Sequence, residues 1–265
     1  MFLKNFWLKL TNNPEYQKTR NEDLRKKVIL SFKNEHEKKI NIIRKKIYQQ
    51  SELNFLHSGH AADIVNVLPV IKKLSESHKC NLYIQINKPI KSYFRHPAGK
   101  YYLNDKIFNM LFPLLNNQKY LNKVEKFDNQ KIDINFDLLR DLPINLLFDN
   151  ATYANVITGV KANLFEPFLE ADDHREIKNK IIIQRSFRYR NDLINYKFLN
   201  QYNDIFFVGT VEEFEDLKKE VKNLNFYDCK DFLDMASVVK SSRFVVANSS
   251  ITFPIAEGLQ VPRIL

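Results

Sequence analysis

The chain has 265 residues, 44% of them hydrophobic, enough to bury a core as one large domain or as two of about 100 residues each, so intrinsic disorder is not the expected reading. Its two cysteines, Cys80 and Cys229, lie far apart and outside any CxxC or Cys/His cluster, so neither a disulfide framework nor a zinc site is suggested and a reducing, cytoplasmic setting is expected. The formal charge of +10 suggests nucleic acid until it is divided: residues 1–50 hold 13 Lys/Arg against 5 Asp/Glu, a balance of +8 that leaves only +2 for residues 51–265.

In the basic segment, Phe2, Leu3, Phe6, Trp7, Leu8 and Leu10 flank Lys4 and Lys9. Residues 1–20 therefore have two readings. They form an amphipathic stretch in peripheral contact with an anionic membrane at its inner face, or they cap the folded body and leave a solvated basic face. Neither a run of about 18 apolar residues nor a signal-peptide pattern occurs, so a spanning or secreted protein is not expected. From Asn21 to Gln50 there is no Gly or Pro, and Leu24, Val28, Phe32, Ile40, Ile43 and Ile47 recur at helical spacing. That predicts one long helix or two shorter ones.

After Ser51, short apolar runs alternate with helical patterns, the mark of βαβ units. The spacing predicts strand Leu53–Leu56, a His57-Ser58-Gly59-His60 loop, a helix carrying Ile64, Val67, Leu68 and Ile71, strand Leu82–Ile86, helix Asp105–Asn116, and strands Val124–Phe127 and Asn145–Phe148. The polar segment Glu170–Glu176 reads as an interdomain connection. Beyond it, strands at Ile181–Ile183, Ile205–Val208, Asn225–Tyr227 and Phe244–Ala247 alternate with helices at Leu193–Tyr202, Val211–Val221, Phe232–Ser241 and Phe253–Leu259. This is a doubly wound parallel sheet in outline. The chain stops at Arg263-Ile264-Leu265, where a further strand is due, so a truncated C-terminus is expected.

In open α/β sheets ligands bind beyond the carboxyl ends of the strands. Three of the five glycines, Gly59, Gly209 and Gly258, fall in or beside such loops, where a missing side chain lets backbone approach a ligand. The stretch from Gly59 to Leu74 has a glycine loop, Asp63, the apolar pair Ile64-Val65 and Leu68-Pro69. It resembles the N-terminal signature of the lipopolysaccharide heptosyltransferases, glycosyltransferase family 9. The stretch Arg243 to Pro262, an apolar strand, an Asn248-Ser249-Ser250 turn and a helix ending at Val261-Pro262, is similar to the family's donor-binding segment. It departs from that pattern at Ser249, Ile251 and Pro254, where the family has Asp, Gly and His, so heptose is not implied as the donor sugar. The resemblance covers residues 53–75 and 180–265.

The resemblance implies an α/β protein of GT-B type with two Rossmann-like domains, an acceptor domain at 51–170 and a nucleotide-sugar donor domain at 171–265; the basic helical extension expected at 1–50 is read from charge and periodicity alone. It implies Asp63 as the base that takes the acceptor hydroxyl's proton; the other reading of Asp63 is an acid complementing a helix N-terminus. Gly59 and His60 would form the acceptor-side loop. Ser249 and Ser250, with Asn248, would meet the donor diphosphate, or simply cap a helix. Glu257 would accept from ribose hydroxyls, or face solvent. Arg185, Arg188 and Arg190 follow the strand that opens the second half, where guanidinium groups would offset charge on the leaving diphosphate; the alternative is a solvated basic loop. Arg185 and Arg188 are the first choices and are expected to be exposed.

His57, His60, His96 and His174 show no ligand spacing and no DxD-like motif occurs, so neither a metal nor a cofactor is expected. The implied activity moves a sugar from a nucleotide diphosphate to a glycan or lipid-linked acceptor, in surface polysaccharide synthesis. The competing reading is a non-catalytic nucleotide-sugar or phosphate-binding protein of the same fold. A nucleic-acid partner is not expected, since no reader motif accompanies the basic segment.

Overall fold

The computed structural model describes residues 2–90, 97–141 and 150–265; for residues 2–5, 33 and 150 it describes the backbone alone. The basic segment is helical. Helix α1 spans Phe2–Thr11, and α2 spans Asn13–Ser31, started by the Asn12 side chain accepting from the Glu15 N–H. A π-helical turn over Phe32–His36 leads straight into α3, Glu37–Gln49. The expected helix over 21–50 is thus part of one rod with an inserted turn. No residue of α2 is buried, whereas Ile40, Ile43 and Ile47 of α3 join the core.

The first sheet contains β1 (Glu52–His57), β2 (Lys79–Ile84), β3 (Lys123–Lys126) and the two-residue β4 (Ile134–Asn135) in the order β3-β2-β1-β4. All its pairings are parallel, with Phe55 opposite both Leu82 and Ile134. Parallel strands need helical crossovers, supplied here by α4 (Ala61–Ser75) and α5 (Asp105–Asn116); a further helix, α6 (Asn150–Thr158), packs on α4 and α3. At the start of helix α4 the Asp63 carboxylate accepts the His60 N–H at 3.1 Å, while the His60 ring Nδ1 donates to the Tyr102 carbonyl at 2.8 Å.

The second sheet contains β5 (Ile181–Gln184), β6 (Ile205–Val208), β7 (Leu224–Tyr227), β8 (Phe244–Ala247) and β9 (Arg263–Ile264) in the order β7-β6-β5-β8-β9, again all parallel. Its crossovers include α7 (Val211–Lys218), α8 (Phe232–Lys240) and α9 (Thr252–Gly258). In both sheets the chain winds outward one way from the first strand and then reverses, so each has a topological switch point: between β1 and β4, and between β5 and β8. Helix α5 packs on α8 and α4 on α9, and one apolar cluster runs from Ile40 to Val261.

Two readings of the sequence change, and one is not tested. Residues Leu193–Tyr202 form no α-helix but a 3-10 turn at Tyr196–Gln201, because the side chains of Asn191 and Asn195 accept from the N–H groups of Leu193 and Lys197 and compete with helical bonding. Helix α6 was not anticipated. The strand expected at Asn145–Phe148 lies outside the described residues, as does His96. The segment around Glu170–Glu176 is coil, and it is anchored: Phe168, Leu169, Ala171 and Ile177 are buried, and the Gly258 carbonyl accepts from the Phe168 and Leu169 N–H groups at 2.8 and 2.9 Å.

Candidate functional site

Both switch points open onto one cavity of about 1050 Å³ between the sheets. Parts of three strand-end loops line it together: His60–Asp63 after β1, Ser186 and Arg188 after β5, and Ser249 and Ser250 after β8. Met110, Phe168, Phe232 and Phe253 give part of the wall an apolar character.

The first wall grows out of β1. Its last residue, His57, is fully buried, and burial pushes its pKa down to about 4, so the ring is neutral at pH 7. Its Nδ1 accepts the Gly59 N–H at 2.8 Å and shapes the turn into α4. Beside it, Asp137 in the 3-10 turn Phe136–Arg140 after β4 gathers donors: the Ser58 N–H at 2.9 Å, the Ser58 hydroxyl, Lys88 Nζ at 2.8 Å and Arg140 Nη1 at 2.7 Å. Burial opposes ionisation of Asp137; the neighbouring His57 and the bonds from Lys88 and Ser58 override it and hold the carboxyl below the usual range.

Arg140, fixed by Asp137 and lying 4.5 Å from the Tyr102 ring centroid, reaches toward Asp63, with Nη2 to Oδ2 at 3.6 Å. Asp63 Oδ2 also accepts the His60 N–H at 3.1 Å. Gly59 makes this approach feasible, because a Cβ there would lie 2.5 Å from Arg140 Nη2 and from His57 Cε1, and 2.8 Å from Asp63 Oδ2. Gly59 stands behind the cavity wall, while His60 and Asp63 face it. Burial lowers the pKa of His60 as well.

Two carboxamides organise the second wall. Gln184, the last residue of β5, accepts through Oε1 from the Thr252 N–H at 3.1 Å and from the Ser250 hydroxyl. Asn248 accepts the Ser186 N–H at 3.1 Å and donates to the Ser186 carbonyl at 2.8 Å. Asn248 thus latches the loops after β5 and β8 from behind, leaving Ser249 and Ser250 on the cavity. Glu213, mostly buried, accepts the Phe187 N–H at 3.0 Å and closes a capping box with Thr210 at the start of α7. Glu257 lines the cavity and pairs with Arg263, whose Nε donates at 2.8 Å.

The three arginines part company. Arg188 lines the cavity, its guanidinium 4.6 Å from the Tyr189 ring centroid. Arg185, expected to be exposed, is only 1% exposed: it points away from the cavity, pairs with Asp216 and lies 5.8 Å from the Tyr196 ring centroid. Arg190 also leaves the cavity, to Asp216 at 2.6 Å and Asp192 at 2.7 Å. The physical reason is Asp216 on α7, a carboxylate that collects both guanidinium groups. Gly258 is corrected too: a Cβ there would meet Leu169 Cγ at 2.6 Å, so it serves close packing of the coil against α9 rather than ligand approach.

Sequence reasoning missed Arg140, Asp137 and Lys88 on the first wall and Gln184 and Glu213 on the second. Glu213 had a local signal, since Thr210-x-x-Glu213 is a capping-box pattern. Asp137 had none, because two of its partners are distant in sequence: Ser58, just after β1, by 79 residues and Lys88 by 49.

No family model matches the chain, and no curated protein is similar to it in sequence. Solved structures are similar in fold. A glycosyl transferase family 9 protein from Veillonella parvula superposes with a TM-score of 0.51 at 10% identity, over 80% of this chain and 79% of that one. The E. coli heptosyltransferase WaaC, solved with ADP, gives 0.50 at 8%, over 80% and 86%. The iron-containing dodecameric glycosyltransferase TibC of enterotoxigenic E. coli gives 0.52 at 11%, over 82% of this chain, which spans only 57% of TibC. At such identities the likeness is one of fold: the chain is a divergent α/β protein built like the family 9 glycosyltransferases.

Proposed function

We propose that this protein is a glycosyltransferase that moves a sugar from a nucleotide diphosphate donor to a glycan or lipid-linked acceptor in surface polysaccharide assembly. The observation that carries the reading is the opening of both switch points onto one cavity, with a carboxylate, Asp63, on one wall and Arg188 with the Ser249 and Ser250 hydroxyls on the other. On this reading residues 51–170 form the acceptor domain and 171–265 the donor domain, with 1–50 as a basic helical extension.

Inverting transfer needs a base to take the acceptor hydroxyl's proton as its oxygen attacks the anomeric carbon, and compensation for the charge left on the diphosphate as that bond breaks. Asp63 takes the proton. Arg140, held by Asp137 and Tyr102, orients its carboxylate. Arg188 and the Ser249 hydroxyl receive the diphosphate, and Ser250 joins them by turning its hydroxyl from Gln184, so the leaving group's charge is assigned to protein groups rather than to a metal ion. Glu257 accepts from the ribose. Arg185 and Arg190 serve Asp216 and take no part.

The second reading, a binding module without turnover, is favoured by Ser249 and Pro254 standing where the family 9 pattern has Asp and His. Asp63→Asn separates the two. A thermal-shift screen of ADP, UDP, GDP and their sugars first identifies the donor, since a ligand at 100 times its Kd adds about 2.7 kcal/mol. With that donor, the Asn variant is expected to lose donor hydrolysis and keep affinity near wild type, because a base acts in the transition state. Unchanged hydrolysis would remove Asp63 from the chemistry; donor binding with no hydrolysis by the wild type itself would favour the binding module.

A further inference from the structure

Helix α1 leaves Phe6, Trp7 and Leu10 exposed at 56%, 69% and 71%, and α2, which connects it to the body, has no buried residue at all. At 3.6 residues per turn the three apolar side chains fall within an arc of about 100°, with Lys9 about 60° beyond its edge. Helix α2 offers no such face: its exposed Leu24, Ile29 and Leu30 are scattered among Lys18, Arg20, Arg25, Lys26 and Lys27. A rod of 19 residues, roughly 28 Å long, therefore holds a short amphipathic helix away from the core.

We infer that α1 is an interfacial anchor that seats on an anionic lipid bilayer, with Phe6, Trp7 and Leu10 entering the headgroup boundary and the α2 cations lying over anionic headgroups. Charge chooses the occupant: eight of the ten net positive charges belong to residues 1–50. A second copy of the chain would bring the same positive segment against itself. Three side chains also bury on the order of 300–500 Å², well under the roughly 800 Å² per partner of a stable interface. Among the described residues no helix is long and apolar enough to cross a membrane, which fits a helix lying in the interface plane. The inference does not depend on the glycosyltransferase reading.

Trp7 is the chain's sole tryptophan, so its emission reports on α1 directly. The full chain is titrated with vesicles of phosphatidylcholine with and without phosphatidylglycerol, following Trp7 emission and co-sedimentation. A blue shift and sedimentation with the anionic vesicles are expected, and partitioning is expected to fall about tenfold or more at 1 M salt, where the Debye length is only about 3 Å. Phe6→Ser combined with Leu10→Ser keeps the reporter and should weaken partitioning to a similar degree. Three results would overturn the anchor: no shift on anionic vesicles at low salt, wild-type partitioning by the double variant, or a blue shift that grows with protein concentration in the absence of vesicles, which would instead mark pairing of two chains.

Discussion

Arg185→Met removes a guanidinium while keeping an apolar stem of similar length, and its outcome follows from where that charge sits. Arg185 is 1% exposed and pairs with Asp216, which is 22% exposed at its side chain and retains Arg190 Nη1 at 2.6 Å and Lys219 Nζ at 3.6 Å. Breaking a buried pair on one side typically costs about 3–5 kcal/mol, because the partner is left uncompensated. Here Asp216 keeps two cations and some water, and Arg185 Nε has no hydrogen-bond partner whose loss would add to the cost. We therefore expect a smaller loss, about 2–3 kcal/mol. For a chain of this size that lowers Tm by roughly 4–12 °C. Urea denaturation and calorimetry read the loss, and Arg185→Met with Asp216→Leu measures the coupling, since removing both charges should recover part of it. Donor affinity, measured where the variant is fully folded, should be unchanged. A Tm within 2 °C of wild type, or a weakened donor with intact stability, would refute the structural role and return Arg185 to the site.

Arg188→Ala should do the reverse, leaving Tm near wild type while donor diphosphate binding by calorimetry weakens by about 1.5–3 kcal/mol; equal affinity would remove Arg188 from the site. Gly59→Ala should destabilise by about 1–3 kcal/mol, because its Cβ would collide with His57, which is fully buried and cannot swing aside as Arg140 can; an unchanged urea midpoint would show that the turn yields. The depressed His57 pKa, about 4 against an ordinary 6.5, means that between those values the unfolded chain binds a proton the native ring refuses. Stability from this group is full above pH 6.5 and falls as the pH drops toward 4, by about 3 kcal/mol at most, with His60 adding in the same sense. Asp137, also depressed, keeps its contribution through that window and loses it only at lower pH. His57→Gln should flatten the fall in the urea midpoint between pH 7 and 4.5, and an equally steep fall in the variant would count against it.

The second sheet was largely legible because β5, β6 and β8 are short apolar runs, as in Ile181-Ile182-Ile183. The first sheet was legible only through β3. Strand β4 has two residues, too few to leave a periodic trace, and its importance lies in carrying Asp137 to the end of β1. Asp63, His60, Ser249 and Ser250 were found because a local motif places them at strand ends. The arginines show the limit of that method: three in six residues look interchangeable, and the choice among them is made by Asp216, 31 residues further on. Gly258 is similar, since its need for a bare backbone comes from Leu169, far away in sequence. Residues 193–202 carry enough apolar positions for a helix; the two asparagine side chains that divert the backbone act over two residues and are invisible to periodicity.

The solvated character of α2 also sets how the chain comes apart. A helix that buries nothing in the body has little beyond its own hydrogen bonds to hold it, and in water a segment of this length opens and closes on its own. Its five basic residues are trypsin sites lying in that opening stretch, whereas the cations of α3 sit on a helix clamped by Ile40, Ile43 and Ile47. Digestion should therefore begin between Lys18 and Lys27 and shed α1 in one cut, releasing a trimmed protein that still holds both sheets and the cavity between them.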